Sequence, residues 1–469
     1  MVFSSTEFIV FFLPSVLIAY YLCSFSLRLQ NFILLVFSLG FYAYGEPKYI
    51  FLMIGSVLVN YILGLLIDRF REHYGKVILI IACILNIGVL FYVKYLDFFI
   101  RSINGLWEGL SLKEYNIPLP IGISFFTFQA LSYIIDLYRG NVKVQKNPFY
   151  LGLYIAFFPQ LIAGPIVRYE SIEEDILNRK VNFTAFSAGV SRFIIGVSKK
   201  VLISNSMAVI VDKIFAFQDI PVSLAWLGSI AYTMQIYYDF SGYSDMAIGL
   251  GHMFGFRFME NFNYPYISKS ITEFWRRWHI SLGHWFRDYV YFPLGGSRVK
   301  NKDRILINLL VVWLLTGIWH GAEWTFIIWG LLNYICIAFE KVFSFDKWDI
   351  KPVYKHIYAL FIINLSWVIF RSPDLIKAGQ YIGSMFGLYG NGFWSDYTFM
   401  FIKENIVQFL AAFIFSVPIS RKFNKFLVEK KKYYKTFEFF YPLVMMLLFY
   451  ISLCYLYKNV YNPFIYFNF

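Results

Sequence analysis

The first candidate for chemistry is a stretch rich in tryptophan, arginine and histidine that begins at Thr272 and continues to Gly296. At helical spacing one face would carry Trp275, Trp278, His279, Leu282, Trp285, Phe286 and Tyr289, while Arg276, Arg277, His284, Arg287 and Asp288 avoid it. The pattern predicts a helix lying in the membrane interface, with its basic side toward lipid headgroups and His279 pointing into protein. A membrane-surface anchor without chemistry is the alternative.

The second candidate is His320, within the segment Thr316–Trp324. The apolar run before it, Ile305–Ile318, would span about 21 Å as a helix, less than the hydrocarbon thickness of about 30 Å. Glycines on both sides of Trp319 and His320 favour a helix break, so we expect His320 to line a cavity within the membrane. Burial in an apolar interior would keep its imidazole neutral and able to accept a proton. A buried structural histidine is the alternative.

The third candidate is Gln235–Gly249, which places Asp239, Asp245 and several hydroxyl groups within an apolar region. Such groups are typical of a polar channel through a membrane. Capping of helix ends by Ser241 and Asp245, at a break at Gly242, is the alternative.

The composition indicates that membrane helices hold these residues. Hydrophobic residues make up 59% of the 469, charged residues only 15%, and mean hydropathy is +0.57. A soluble domain carries about 25% charged residues, so a soluble enzyme, a disordered chain and a nucleic-acid-binding module are poor fits. The net charge of +13 is typical of basic cytoplasmic loops and of contact with anionic membrane lipids. The four cysteines show no metal-binding or disulfide spacing, so no metal site is predicted.

A series of apolar segments are candidates for crossing the membrane. They are Phe8–Leu27, Phe32–Tyr44, Ile50–Ile67, Val77–Val93, Ile121–Leu137, Tyr150–Val167, Phe183–Val197, Leu224–Tyr238, Ile305–Ile318, Thr325–Phe339, Ile357–Phe370, Ile406–Val417 and Phe439–Tyr457. No Lys or Arg precedes Arg28, so the first segment is expected to be a retained span and not a cleaved signal. We expect residues 1–469 to form one multi-pass membrane domain.

Loop charge predicts the orientation of the chain. The basic segments Arg276–Arg304 and Arg421–Lys435 are expected in the cytoplasm. The last apolar segment then carries the chain across once more, so the tail 461–469 is expected on the extracytoplasmic side.

The same blocks resemble the membrane-bound O-acyltransferase (MBOAT) family, in its bacterial alginate O-acetylation and peptidoglycan O-acetyltransferase branch. The resemblance includes Met1–Ser5, Pro120–Gln129 and Phe158–Pro165, and the Arg-Trp-His and Ile-Trp-His-Gly blocks are its most specific part. It covers Met1 to about Gly330 and the remainder more weakly. It implies an all-α integral membrane protein of the bacterial cytoplasmic membrane. About 11 to 13 transmembrane or re-entrant helices, with interfacial helices, would form a ring around a central funnel.

By this resemblance His320 is the family's characteristic histidine and His279 a second frequent one. Acyl transfer from a thioester to a hydroxyl needs a base and a group that stabilises the oxyanion. Asn308, Tyr243 and Trp319 are candidates for orienting or donating groups. The other histidines, His73, His252, His284 and His356, are assigned no role.

The acyl donor is expected to be acetyl-CoA, used as a substrate with no bound cofactor. Arg276 and Arg277, together with Trp319, are expected to bind it, with Arg287 nearby, because guanidinium groups pair with phosphates. Contact with lipid headgroups explains these arginines equally well.

The tail Asn462–Phe469 is similar to a C-terminal Phe/Tyr-rich motif of bacterial acyl-export systems. The resemblance implies that Tyr466 accepts the acetyl group near His320. An extracytoplasmic SGNH-type partner would then receive the group and acetylate a secreted or cell-wall polysaccharide. An aromatic belt at the membrane interface is the alternative.

The sequence thus predicts an O-acetyltransferase for an alginate-like exopolysaccharide or peptidoglycan. D-alanyl export is an alternative within the family. A polysaccharide or lipid transporter without acyl-transfer chemistry, or a scaffold of an export complex, would lie outside it.

Overall fold

The computed structural model describes residues 2–107, 111–299, 301–458 and 461–465, and the secondary structure of these residues is helical, without a β-strand. They group into two compact units, Met1–Phe193 with Met246–Met259, and Ile194–Asp245 with Glu260–Phe469. The predicted all-α fold is confirmed. That the whole chain is one domain stays a prediction.

The first unit contains the N-terminal helices. They are α1 (Leu13–Leu22, preceded by a π-helical turn at Phe8–Phe12), α2 (Leu27–Gly45), α3 (Ile50–Arg69), α4 (Gly75–Leu90), α5 (Leu96–Leu106), α6 (Ile123–Arg139), α7 (Pro148–Ala156), α8 (Phe158–Leu161), α9 (Tyr169–Asn178) and most of α10 (Phe183–Ser198). A π-helical turn, Phe91–Tyr95, joins α4 to α5.

The second unit contains the histidine blocks. Its helices are α11 (Asn205–Phe215), most of α12 (Val222–Met253), α13 (Ile271–Arg277), α14 (Ile280–Phe286), α15 (Lys302–His320), α16 (Trp324–Val342), α17 (Pro352–Arg371), α18 (Leu375–Met385), α19 (Asp396–Glu404), α20 (Ile406–Phe415), α21 (Ile419–Glu429) and α22 (Lys431–Lys458). π-Helical turns occur at Lys199–Ser204 and Arg287–Tyr291, and short 3-10 turns at Pro265–Ile267 and Phe345–Lys347.

Eight helices in the described part of the chain are long and apolar enough to cross a membrane, where α4 with α5 (Gly75–Leu106) and α10 with α11 (Phe183–Phe215) each count as one continuous helix. A ninth span results if α19 and α20 count as one. These two helices bend by 72° at Asn405, immediately before the predicted span Ile406–Val417. The other predicted spans correspond to helices that are shorter or more polar. The protein is therefore a multi-pass membrane protein, as its composition predicts.

Glycine contacts bring α15 and α16 close together in the second unit. A Cβ atom on Gly330 would lie 2.6 Å from the carbonyl oxygen of Trp313 and 3.2 Å from the Cα of Gly317. A Cβ on Gly317 would lie 2.5 Å from the carbonyl oxygen of Phe326. Side chains at these positions would force the helices apart, so the glycines fix the position of the end of α15.

The alternative of a helix break at Gly242 is wrong, because α12 is continuous through this position. The glycine instead allows another backbone to approach: its Cβ would lie 2.9 Å from the carbonyl oxygen of Gly196. Asp239 and Asp245 do not cap helix ends but pair with Lys200 and Lys199, each at 2.6 Å.

Candidate functional site

His320 is the last residue of α15, so the predicted helix break lies where the glycine pattern indicated. Gly321 follows in extended conformation and α16 begins at Trp324. The imidazole of His320 is buried, 6% exposed, and meets three rings edge-on, with centroids 4.9 Å from Trp319, 5.0 Å from Trp329 and 5.3 Å from Phe370. The turn between α15 and α16 thus presents His320 to an aromatic interior.

His320 lines a small cavity in the second unit, and its other walls are apolar. The lining residues besides His320 are Ile236, Phe240, Trp278, Trp329, Trp367 and Phe370. They come from α12, from the α13–α14 junction, from α16 and from α17. The cavity has a volume of about 10 Å³, roughly the space of one water molecule, and it brings a buried imidazole that can accept or donate a proton into an apolar interior.

His279 connects α13 to α14 in a left-handed backbone conformation, with φ of 45°. The single helix predicted across this block is therefore wrong: it is broken at Trp278 and His279. The cause is Asn261, whose side-chain oxygen accepts hydrogen bonds from the backbone N–H and the hydroxyl of Ser281, at 3.1 and 2.9 Å. Its carbonyl oxygen accepts from the N–H of Ile280 at 3.0 Å. Asn261 thus holds the start of α14 and turns the chain before it.

The same contacts determine the proton position on His279. Because the Asn261 side-chain oxygen accepts from a backbone N–H, the Nδ1 of His279, 3.1 Å from that oxygen, must donate to it. The Nε2 atom therefore carries the lone pair. Burial lowers the pKa of His279 to about 3, so the imidazole is neutral at physiological pH. In the described part of the chain Nε2 has no hydrogen-bond partner, which leaves a buried proton acceptor.

Trp319 lies against both imidazoles. Its ring centroid is 6.0 Å from that of His279 and 4.9 Å from that of His320. Phe240 meets the ring of His279 edge-on at 4.6 Å and also lines the cavity beside His320. The two histidines predicted to be functional are therefore brought together around one indole, although 40 positions separate them in sequence.

Helix α16 positions the block that leads to His279. The buried carboxylate of Glu340 accepts the backbone N–H groups of Ile271 and Thr272, at 2.5 and 2.9 Å, and the hydroxyl of Thr272 at 2.6 Å. A carboxylate at the start of a helix accepts hydrogen bonds from its free N–H groups and interacts favourably with the positive end of the helix dipole. Glu340 thereby anchors the first turn of α13.

The remaining residues singled out in the sequence lie outside the lining of the cavity beside His320. Arg276 is exposed, whereas Arg277 pairs with Glu273 at 2.8 Å and Arg287 with Asp288 at 2.7 Å. Asn308 donates to the carbonyl oxygens of Leu294 and Gly296 at 3.1 and 3.2 Å, so it supports a turn. Tyr243 stacks on Phe464 with centroids 4.9 Å apart. His356 interacts with the carbonyl of Ser268 through Nδ1, at 3.0 Å.

The described part of the tail is anchored within the second unit. Tyr461 donates to Asp212, Asn205 donates to Asn462 at 3.0 Å, Lys200 donates to the carbonyl oxygen of Pro463, and the N–H of Ile465 donates to Asp239 at 2.8 Å. Phe464 and Ile465 are buried. Tyr466 lies outside the described residues.

Sequence reasoning missed Asn261 and Lys200. No local pattern links Asn261 to a histidine 18 positions later. Lys200 had a usable signal, because a lysine in an apolar helix must find a partner, and Asp239 was already a candidate in the neighbouring block.

The fold and the site define a class: a multi-pass helical membrane enzyme with two buried histidines, one of which lines an apolar cavity. The family model described as "MBOAT, membrane-bound O-acyltransferase family" matches residues 121–369. The chain belongs to this family and is an O-acyltransferase.

Three bacterial relatives show what this chain is similar to. The chain is 44% identical to the "Probable alginate O-acetylase AlgI" of Pseudomonas syringae pv. tomato over 395 residues, 82% of this chain and 75% of the relative. It is 37% identical to the peptidoglycan O-acetyltransferase of Helicobacter pylori over 83% of this chain and 80% of the relative. It is 30% identical to the teichoic acid D-alanyltransferase of Bacillus subtilis over 52% of this chain and 66% of the relative.

Proposed function

We propose that this protein is an O-acetyltransferase of the bacterial inner membrane that supplies acetyl groups for a secreted or cell-wall polysaccharide. The two long matches, to an alginate and a peptidoglycan acetyltransferase, support this substrate class. The D-alanyltransferase match covers a smaller part of the chain and supports acetyl over D-alanyl transfer. Membership of an acyltransferase family argues against the transporter and scaffold alternatives.

The observation that carries the mechanism is the pair of buried imidazoles around Trp319. We infer that acetyl-CoA donates from the cytoplasmic side, where exposed Arg276 is available to its phosphates. His320 removes the phenol proton of Tyr466 as its oxygen attacks the thioester carbonyl. The C–S bond then breaks and the proton passes to the leaving thiolate. His279, neutral with its lone pair on Nε2, is the second proton acceptor in this interior.

A tyrosine suits the role of carrier chemically. Its phenol has a pKa of about 10, so acetyl-tyrosine has a much better leaving group than an ester of serine. Transfer from Tyr466 to the serine of an extracytoplasmic SGNH-type partner is therefore favourable, and the phenolate regains the proton that serine loses. The segment before Tyr466 is hydrogen-bonded to this protein, because the N–H of Ile465 donates to Asp239, and this supports a tail that accepts the acetyl group within the same protein.

The test is intact-mass analysis of the C-terminal peptide after incubation of the purified protein with isotopically labelled acetyl-CoA. Wild type is compared with His320→Ala, Tyr466→Phe and, as a control histidine, the exposed His73→Ala. We expect label on Tyr466 in wild type and His73→Ala and none in the other two. Folded wild-type protein without label, or label that survives His320→Ala, would contradict the proposal.

A further inference from the structure

The ion pair of Lys200 and Asp239 is buried within the second unit. The two side chains are 2% and 1% exposed and approach to 2.6 Å. Two charges removed from water are stable only when further hydrogen bonds satisfy their remaining donors and acceptors. The source of those hydrogen bonds therefore indicates what the pair binds.

The remaining hydrogen bonds come from the main chain of the tail. Lys200 donates to the carbonyl oxygen of Pro463, and the second oxygen of Asp239 accepts the N–H of Ile465 at 2.8 Å. These two main-chain groups flank Phe464, whose ring lies 6.0 Å from the Lys200 ammonium and stacks on Tyr243. The pair thus binds one carbonyl oxygen and one N–H of the tail, and the ring of Tyr243 stacks on the side chain between them.

The pair is also linked to the histidine site through one helix. Asp239 is followed by Phe240, which contacts His279 and lines the cavity of His320. Asp239, which accepts the N–H of Ile465, and Phe240, which contacts the histidine site, are thus adjacent residues of α12.

We propose that the Lys200–Asp239 pair is a receptor for the protein's own C-terminal main chain and positions the following residue for acyl transfer. Both are positioning residues, and the proposal rests on the relay through Tyr466 proposed above. Removal of the N–H at 465, or of both charges, releases the tail without altering the donor site.

Two variants separate this role from a general effect on folding. Ile465→Pro deletes the N–H that Asp239 accepts but leaves the ion pair intact, and Ile465→Val is its matched control. The double variant Lys200→Met/Asp239→Leu removes both charges while filling the space with apolar side chains, a replacement that buried ion pairs often tolerate.

Docking is measured by hydrogen–deuterium exchange of the C-terminal peptide, with the exchange of α15–α17 as the test of folding. We expect the C-terminal peptide to exchange at least tenfold faster in Ile465→Pro and in the double variant than in wild type and Ile465→Val, a factor equivalent to the loss of one hydrogen bond between the tail and a charged group. Equal protection in all four would overturn the proposal.

Transfer is measured by the rate of acetyl labelling of Tyr466. In Ile465→Pro we expect this rate to fall at least tenfold, with the KM for acetyl-CoA unchanged. A tenfold rise in the KM for acetyl-CoA in place of the fall in rate, or labelling as fast as in Ile465→Val, would overturn the positioning role. If wild type itself carries no label, the relay fails, but the exchange comparison still decides whether the pair holds the tail. If the double variant does not fold, the two Ile465 variants decide it.

Discussion

Replacement of His279 by asparagine separates its proton chemistry from its structural role. Asparagine tolerates the left-handed backbone, φ of 45° at this position. Its amide nitrogen can replace Nδ1 as the donor to Asn261, which is 3.1 Å away in the wild type. The variant lacks only Nε2 and part of the ring that packs on Phe240. We expect a folded protein whose acetyl transfer falls about 10²–10⁴-fold, the usual contribution of a positioned base.

The same variant gives a measurable change in stability with pH. Burial lowers the pKa of His279 to about 3 in the folded protein, against about 6.5 in an unfolded chain. Below pH 6.5 the unfolded chain binds a proton that the folded protein does not bind until about pH 3. The free energy of unfolding therefore decreases as the pH falls from 6.5 to about 3, and it is fully present above pH 6.5. Between pH 7 and pH 5 this loss is about 2 kcal/mol for one imidazole.

The assay is denaturant unfolding in detergent micelles at pH 7 and pH 5, for wild type and His279→Asn. Other titrating groups affect both proteins equally, so the difference between the two pH-dependent changes isolates His279. Wild type is expected to lose about 2 kcal/mol more than the variant. Equal losses would show that the imidazole is not buried in its neutral form. Full transferase activity of the variant would refute its role as a proton acceptor.

Three further predictions test the elements that support the site. Gly330→Ala is expected to cost about 1–3 kcal/mol of stability and to lower kcat, because its Cβ would meet the Trp313 carbonyl. The control is Gly379→Ala, whose Cβ would have no atom within 4 Å. Equal effects of the two variants on stability would contradict the packing argument. Glu340→Gln turns an amide donor toward α13 and is expected to cost about 1–3 kcal/mol in denaturant unfolding, whereas an unchanged midpoint would show that α13 needs no carboxylate. Arg276→Gln is expected to raise the KM for acetyl-CoA with kcat unchanged, and an unchanged KM in steady-state kinetics would assign Arg276 to lipid contact.

Much of the fold follows from composition and from glycine. Long apolar runs and the low share of charged residues, 15%, predict the membrane helices, and the glycines around His320 predict that α15 ends there. These features are local, so a single segment contains the information. The apolar face of the Trp275–Tyr289 block is mostly buried, as its spacing predicted, although the block is not one helix.

The rest depends on contacts between distant segments. The break at His279 requires Asn261, and a left-handed histidine has no signal in its own sequence. The aromatic walls of the cavity come from four separate regions, and the pairing of Lys200 with Asp239 joins positions 39 residues apart. Apolar and aromatic residues are too frequent in this chain for their positions alone to identify such partners.

The aromatic walls around His320 have a consequence for membrane energetics. If the site passes acetyl groups across the membrane, as proposed above, it must not also conduct protons, since each charge that crosses 100 mV releases about 2.3 kcal/mol. Indole and phenyl rings line the cavity, and the buried His279 imidazole is neutral. A continuous chain of water molecules that could conduct protons is therefore disfavoured there. The same walls limit hydrolysis of an activated ester. Opening them, for example by Trp367→Ala, is expected to leak both protons and acetyl groups, seen as collapse of a pH gradient across proteoliposomes and as release of free acetate.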